Sequence, residues 1–191
     1  MSERTRIRRL SFMVLFAAVC FVVFTYGKIS IPLPSGNAVA IHAANAAVVL
    51  SAWLIGPVPG GIAGAVGLAV ADLLDPLYVL TAPKTFFLKF MIGYISGKTA
   101  EKMGLKETED PKKIRKITLI SAVCGLGFNV IAEPVAGYLY RRYILGTTAE
   151  AASILSSWLG GVTLLNAVIC TIIAVLLYRL LYRQYRRITL N

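Results

Sequence analysis

The apolar stretch from Ala38 to Leu74 constrains this chain most tightly. At about 1.5 Å per helical residue it is far too long for one crossing of a ~30 Å hydrocarbon core, so it must turn once. Gly56-Pro57-Val58-Pro59-Gly60-Gly61 supplies the turn, because two prolines remove helix donors and the glycines permit turn dihedrals. Two helices are therefore expected, at about 38–55 and 60–74. The rest of the chain is equally apolar. Of the 191 residues, 57% are hydrophobic and 15% charged, against roughly 45–50% and about 25% in soluble domains. With a mean hydropathy of +0.72, lipid is the solvent for most of the chain. The 16 glycines follow no triplet period and there are 3 cysteines, which excludes collagen-like and disulfide-scaffold classes.

Further spans are expected at about 7–26, 83–97, 117–140 and 152–178, giving one six-helix, all-α membrane domain over residues 1–191. The first follows Arg4, Arg6, Arg8 and Arg9 and superficially resembles a signal peptide, but it ends in Tyr26-Gly27-Lys28 without a small-residue cleavage site. Basic residues test the count. The N-terminus, the polar connector 98–116 and the tail hold fifteen of the 20 Lys and Arg. Six crossings bring these three segments to one side, which the positive-inside rule makes cytoplasmic. Both termini of a multi-pass protein of the cell membrane are thus expected inside. Tyr26, Tyr78, Tyr138, Tyr140 and Tyr143 fall near the opposite ends, where an interfacial aromatic belt belongs.

A formal charge of +11 suggests nucleic acid only when it covers a soluble face; here it collects at helix ends, so no nucleic-acid partner is expected. Cys20, Cys124 and Cys170 lie in apolar runs with no His at ligand spacing, so no metal site is expected. There is one His, no H-E-x-x-H, no G-x-S-x-G and no Walker A sequence. No catalytic residues, cofactor or ATPase activity are therefore expected of this chain.

Polar groups inside lipid-facing segments are costly, so their positions carry functional information. Asn129 and Glu133 are four apart on one helix face, with Pro134 disturbing the backbone beside them. Trp158 and Asn166, eight apart, are read as facing one way on the last helix, and Lys84 stands at the start of the fourth. Asp72 can bridge Lys84 or Lys89, or any of these can face a ligand. His42 and Asn45 open the second helix. Ahead of them, the apolar segment containing Ile31, Pro32, Leu33 and Pro34 is stiff enough to act as a lid over a cavity.

The order of these features resembles the membrane-embedded, substrate-binding S-component of energy-coupling-factor (ECF) vitamin transporters. The resemblance rests on Ile41-His42-Ala43-Ala44-Asn45, on Leu54-Ile55-Gly56-Pro57 and the glycines after it, on Ala71-Asp72-Leu73-Leu74, and on Ala82-Pro83-Lys84-Thr85-Phe86-Phe87-Leu88-Lys89 up to Gly93. It implies a high-affinity binding subunit of an ABC-type importer for a water-soluble vitamin or precursor, with a pocket near the outer leaflet. It also implies association with a transmembrane T-component and two ATPases. The family often docks its T-component through A-x-x-x-A in the first helix; this chain has Ala17-Ala18 but Phe21 and Val22 four residues on, so Ala17 and Ala18 are the expected docking residues. The alternative is a stand-alone carrier or channel for a small polar solute.

Overall fold

The computed structural model describes residues 3–32 and 38–190. Six helices and one hairpin make up the fold: α1 (Glu3–Gly27), β1 (Ile29–Pro32), β2 (Ala38–Ile41), α2 (Ala44–Ile55), α3 (Pro57–Leu73), α4 (Ala82–Lys102), α5 (Pro111–Leu139) and α6 (Ala149–Leu190). A 3-10 turn, Val79–Thr81, precedes α4, and a π-helical turn, Tyr140–Ile144, continues α5. The chain is thus a helical membrane protein. Among the described residues three helical stretches are long and apolar enough to cross a bilayer by themselves: Arg6–Gly27, Pro111–Ile144 and Ala149–Tyr182.

The helix expected over 38–55 is corrected at its start. Ala38–Ile41 is a strand paired antiparallel with Ile29–Pro32, in the register Ile29 to Ile41, Ile31 to Val39 and Pro32 to Ala38. A short apolar run has no periodicity that separates strand from helix; here the β-branched residues Ile29, Ile31, Val39 and Ile41 decide. What remains, α2, is 12 residues long and buried along its whole length. A helix apolar on every side belongs inside protein, and α2 packs against α1, α3, α4 and α6.

Gly56 ends α2 with φ of 104°, a backbone that strains any side chain. The two prolines read as a break lie in the first turn of α3, where their missing donors would have been unsatisfied anyway. Close approach explains the small residues beyond. A Cβ on Gly67 would collide with the Ala17 carbonyl, so α1 and α3 meet backbone to backbone. Ala17 is half-buried in that seam, and Ala18 is exposed beside it. At the far end of the connector, the Asp110 side chain accepts from the Lys112 amide at 2.9 Å and Pro111 starts α5.

Candidate functional site

A cavity opens at the hairpin end of the bundle. Helical spacing brings its walls together: Leu68 and Asp72 from α3, Thr85 and Lys89 from α4, and Asn129 and Glu133 from α5 are each four residues apart. Leu159, Val162, Thr163 and Asn166 supply the α6 wall at the i, i+3, i+4, i+7 spacing of one helix face. His42, Asn45 and Lys84 complete the set, so six of the seven sequence-derived binding residues line this one cavity.

The seventh, Trp158, does not. It is 50% exposed and sits in an apolar groove with Ile31, Ile41, Ile154 and Leu165. Eight positions at 3.6 per turn leave two residues about 80° apart, so Trp158 points away from the side of α6 that Asn166 occupies. Seven or four positions before Asn166 was the informative spacing, and it leads to Leu159 and Val162.

The core of the cavity is an ion cluster. Lys84 Nζ donates to Glu133 Oε1, and Lys89 Nζ donates to Glu133 Oε2 at 3.5 Å. One carboxylate thus carries two ammonium groups, each on its own oxygen, with all three side chains about nine-tenths buried. The Asp–Lys bridge considered from the sequence does not form; Asp72 Oδ2 accepts instead from the Thr85 hydroxyl at 2.6 Å. Arg141, one residue past the fifth span expected at 117–140, is 7% exposed and lines the same cavity.

Asn166 links the cavity to the hairpin. Its Nδ2 donates to the Ala40 carbonyl at 2.9 Å, and its Oδ1 accepts from the His42 amide at 3.0 Å. The side-chain amide therefore pairs with β2 much as another strand would. By contrast, His42 Nδ1, Asn45 Oδ1 and Asn129 Oδ1 are buried without partners among the described residues. The His42 ring meets Phe24 edge-on at 4.9 Å.

Of the lid residues, Ile31 and Pro32 form the end of β1, and Ile31 packs against the Val39–Leu155 pair. Leu33 and Pro34 lie outside the described residues. At the hairpin's root Lys28 pairs with Asp75, its ammonium 4.7 Å from the Phe24 ring centroid and 5.0 Å from that of Tyr78. Lost hydration is the largest single influence on Asp75 and opposes ionisation, but the Lys28 hydrogen bond, the Leu77 amide and the Lys28 charge together outweigh it and hold the carboxyl below the usual range. Sequence reasoning left Asp72 and Lys89 open between a bridge and a ligand contact, and missed Thr85, Arg141 and Thr163 as cavity residues. Thr85 and Thr163 could have been found as the i−4 and i−3 neighbours of Lys89 and Asn166. Nothing local marks Arg141.

No group of three or more His, Cys, Asp or Glu that could hold a metal ion occurs among the described residues. Comparison with known proteins agrees with a helical transport subunit. The model of the family described as ECF-type riboflavin transporter, S component, matches residues 4–183. A solved structure described as the S component of a bacterial ECF transporter superposes with a TM-score of 0.59. It is 23% identical, and the match covers 93% of this chain and 97% of that one. No curated protein matches the chain. The chain belongs to the ECF-type riboflavin transporter S component family. Such S components are transport subunits rather than enzymes, with ATP hydrolysis carried by partner subunits.

Proposed function

We propose that this chain captures a water-soluble vitamin or vitamin precursor from outside the cell in the cavity beneath the hairpin. It then delivers that cargo through a T-component driven by two ATPases. The observation that carries this reading is the set of buried polar atoms without partners among the described residues, His42 Nδ1, Asn45 Oδ1 and Asn129 Oδ1, around a cavity lined by an ion cluster. A buried polar atom without a partner costs about 1–3 kcal/mol, a cost that a hydrogen-bonding ligand removes. Lys84, Asn129, Glu133, His42 and Asn45 contact the ligand, whereas Asn166 serves by holding the hairpin. Ile31 and Pro32, at the end of β1, cover the bound molecule. The exposed Ala18 and its neighbour Ala17 form the docking strip for the T-component. Riboflavin is the first ligand to test, because the family is named for it.

The chain crosses the membrane six times, with both termini cytoplasmic. The 12-residue α2 is about 18 Å long and the four residues of β2 add about 13 Å, which together match the ~30 Å core. Non-helical backbone is tolerated at that depth because β2 is enclosed by protein and borders a cavity.

Vitamin uptake by cells expressing the chain with and without a T-component and ATPases is the deciding experiment. The purified chain should bind without nucleotide, yet cells should accumulate the vitamin only when the partners are present. ATP-independent accumulation by the chain alone would replace this reading with a secondary carrier.

A further inference from the structure

Besides His42, five ionisable side chains that line the cavity are less than a tenth exposed: Asp72, Lys84, Lys89, Glu133 and Arg141. With all five ionised, the cationic groups exceed the carboxylates by one charge. The pairing shows where the excess lies. Glu133 is shared by Lys84 and Lys89, and Asp72 is held by Thr85, which leaves Arg141 without an ion pair among the described residues. Its Nη1 is buried and has no hydrogen-bond partner. The nitrogen lies over Gly137, one turn back on α5, where a Cβ would come within 3.2 Å of it. The backbone thus leaves room for a guanidinium that feels the Glu133 charge only at a distance, that carboxylate being already shared by two ammonium groups. A buried, unpaired charge is among the most costly features of a membrane protein, and a ligand of opposite charge would offset it.

We propose that the cavity takes a small solute bearing a single carboxylate, with Arg141 as the residue that receives it; this rests on the reading of the cavity as the vitamin site. A surplus of one charge matches a monoanion, whereas a phosphate ester, at about −1.5 to −2, would overshoot it. The planar guanidinium fork fits the two oxygens of a carboxylate. Lys89, whose contact with Glu133 is a long 3.5 Å, keeps donors available for the same anion. Asn45 Oδ1 and Asn129 Oδ1 then accept from N–H or O–H groups on the rest of the molecule.

The test is calorimetry on the purified full chain with probes that differ in charge: pantothenate against pantothenol, nicotinate against nicotinamide, biotin against biotinamide, and riboflavin as a neutral vitamin. At least one carboxylate should bind about tenfold or more tighter than its neutral counterpart, the loss expected for one charge-assisted hydrogen bond. Arg141→Gln should remove that preference and Arg141→Lys should restore part of it. The ligand-free melting temperature should not fall in Arg141→Gln, as it would if the guanidinium only held the fold together. Riboflavin binding that Arg141→Gln leaves unchanged, with no carboxylate preferred, overturns the proposal and leaves the vitamin-subunit reading standing. Failure of every probe to bind counts against both.

Discussion

The two ends of the bundle handle buried polarity in opposite ways. At the connector end the buried polar groups are mostly hydroxyls that bond to helix backbone: Ser51 to the Val48 and Gly60 carbonyls, Thr118 to Ile114, Ser121 to Thr118. Small residues let helices touch there, and Lys106 donates to the Leu54 carbonyl at 3.1 Å, closing the end of α2. At the hairpin end the buried groups are charges and amides that reach between elements, and several acceptors have no partner. One end bonds most of its hydroxyls to backbone, with Trp53 Nε1 and Ser96 Oγ left unpartnered among the described residues; the other turns charges and amides towards a cavity. That difference is what a rigid base carrying a binding cavity requires.

The largest effect should follow from forcing the closed end open. A Cβ on Gly60 would collide with the backbone of Ala52, so Gly60→Val should cost more than the roughly 1–3 kcal/mol typical of overpacking. It should abolish monodisperse protein on size-exclusion chromatography. Gly127, with nothing within 4 Å of its Cβ position, is the control: Gly127→Ala should leave the melting temperature unchanged or raise it.

At the hairpin end, Glu133→Gln leaves Lys84 and Lys89 without their shared carboxylate. It should lower ligand-free stability by about 3–5 kcal/mol and ligand affinity at least about tenfold. Adding Lys84→Met should recover part of the stability, since the two groups are directly coupled. Independent, additive effects in thermal melts would show that the ion cluster does not form.

Asn166→Ala should be milder. It removes two hydrogen bonds from β2, worth about 1–3 kcal/mol together, and should loosen the hairpin alone. Hydrogen exchange at the His42 amide should accelerate about tenfold or more while α2 amides keep their protection. Equal acceleration in α2 would mean that the hairpin and the base open as one unit.

The smallest effect belongs to Lys28–Asp75. The Asp75 carboxyl is held below the usual range in the folded state, so its contribution is present at neutral pH and is lost as pH falls through the folded value. For a pair that is partly exposed to solvent, about 1 kcal/mol or less is expected. Asp75→Asn should flatten that part of the acid melting profile, and an unchanged profile would show that the pair is not formed.

Membrane class, the helix boundary at Gly56-Pro57 and the shared face of Asn129 and Glu133 were all legible in the sequence, whereas α5 starts at Pro111, six residues before the expected 117, because its first turns are polar. Each depends on composition or on spacing within one segment, and lipid imposes the same rules on any segment that enters it. What needed the tertiary structure involved two segments at once. Ala38–Ile41 became a strand because Ile29–Pro32 lies beside it, and Glu133 chose Lys84 and Lys89 over a sequence-nearer candidate, Arg141, because of how α4 and α5 rotate against each other. Trp158 turned away from Asn166 because helical rotation over eight residues outruns one face. Arg141 became buried where its position at a helix end suggested exposure. A side chain's partner depends on packing between helices, and local periodicity carries only the direction in which each helix presents its own residues.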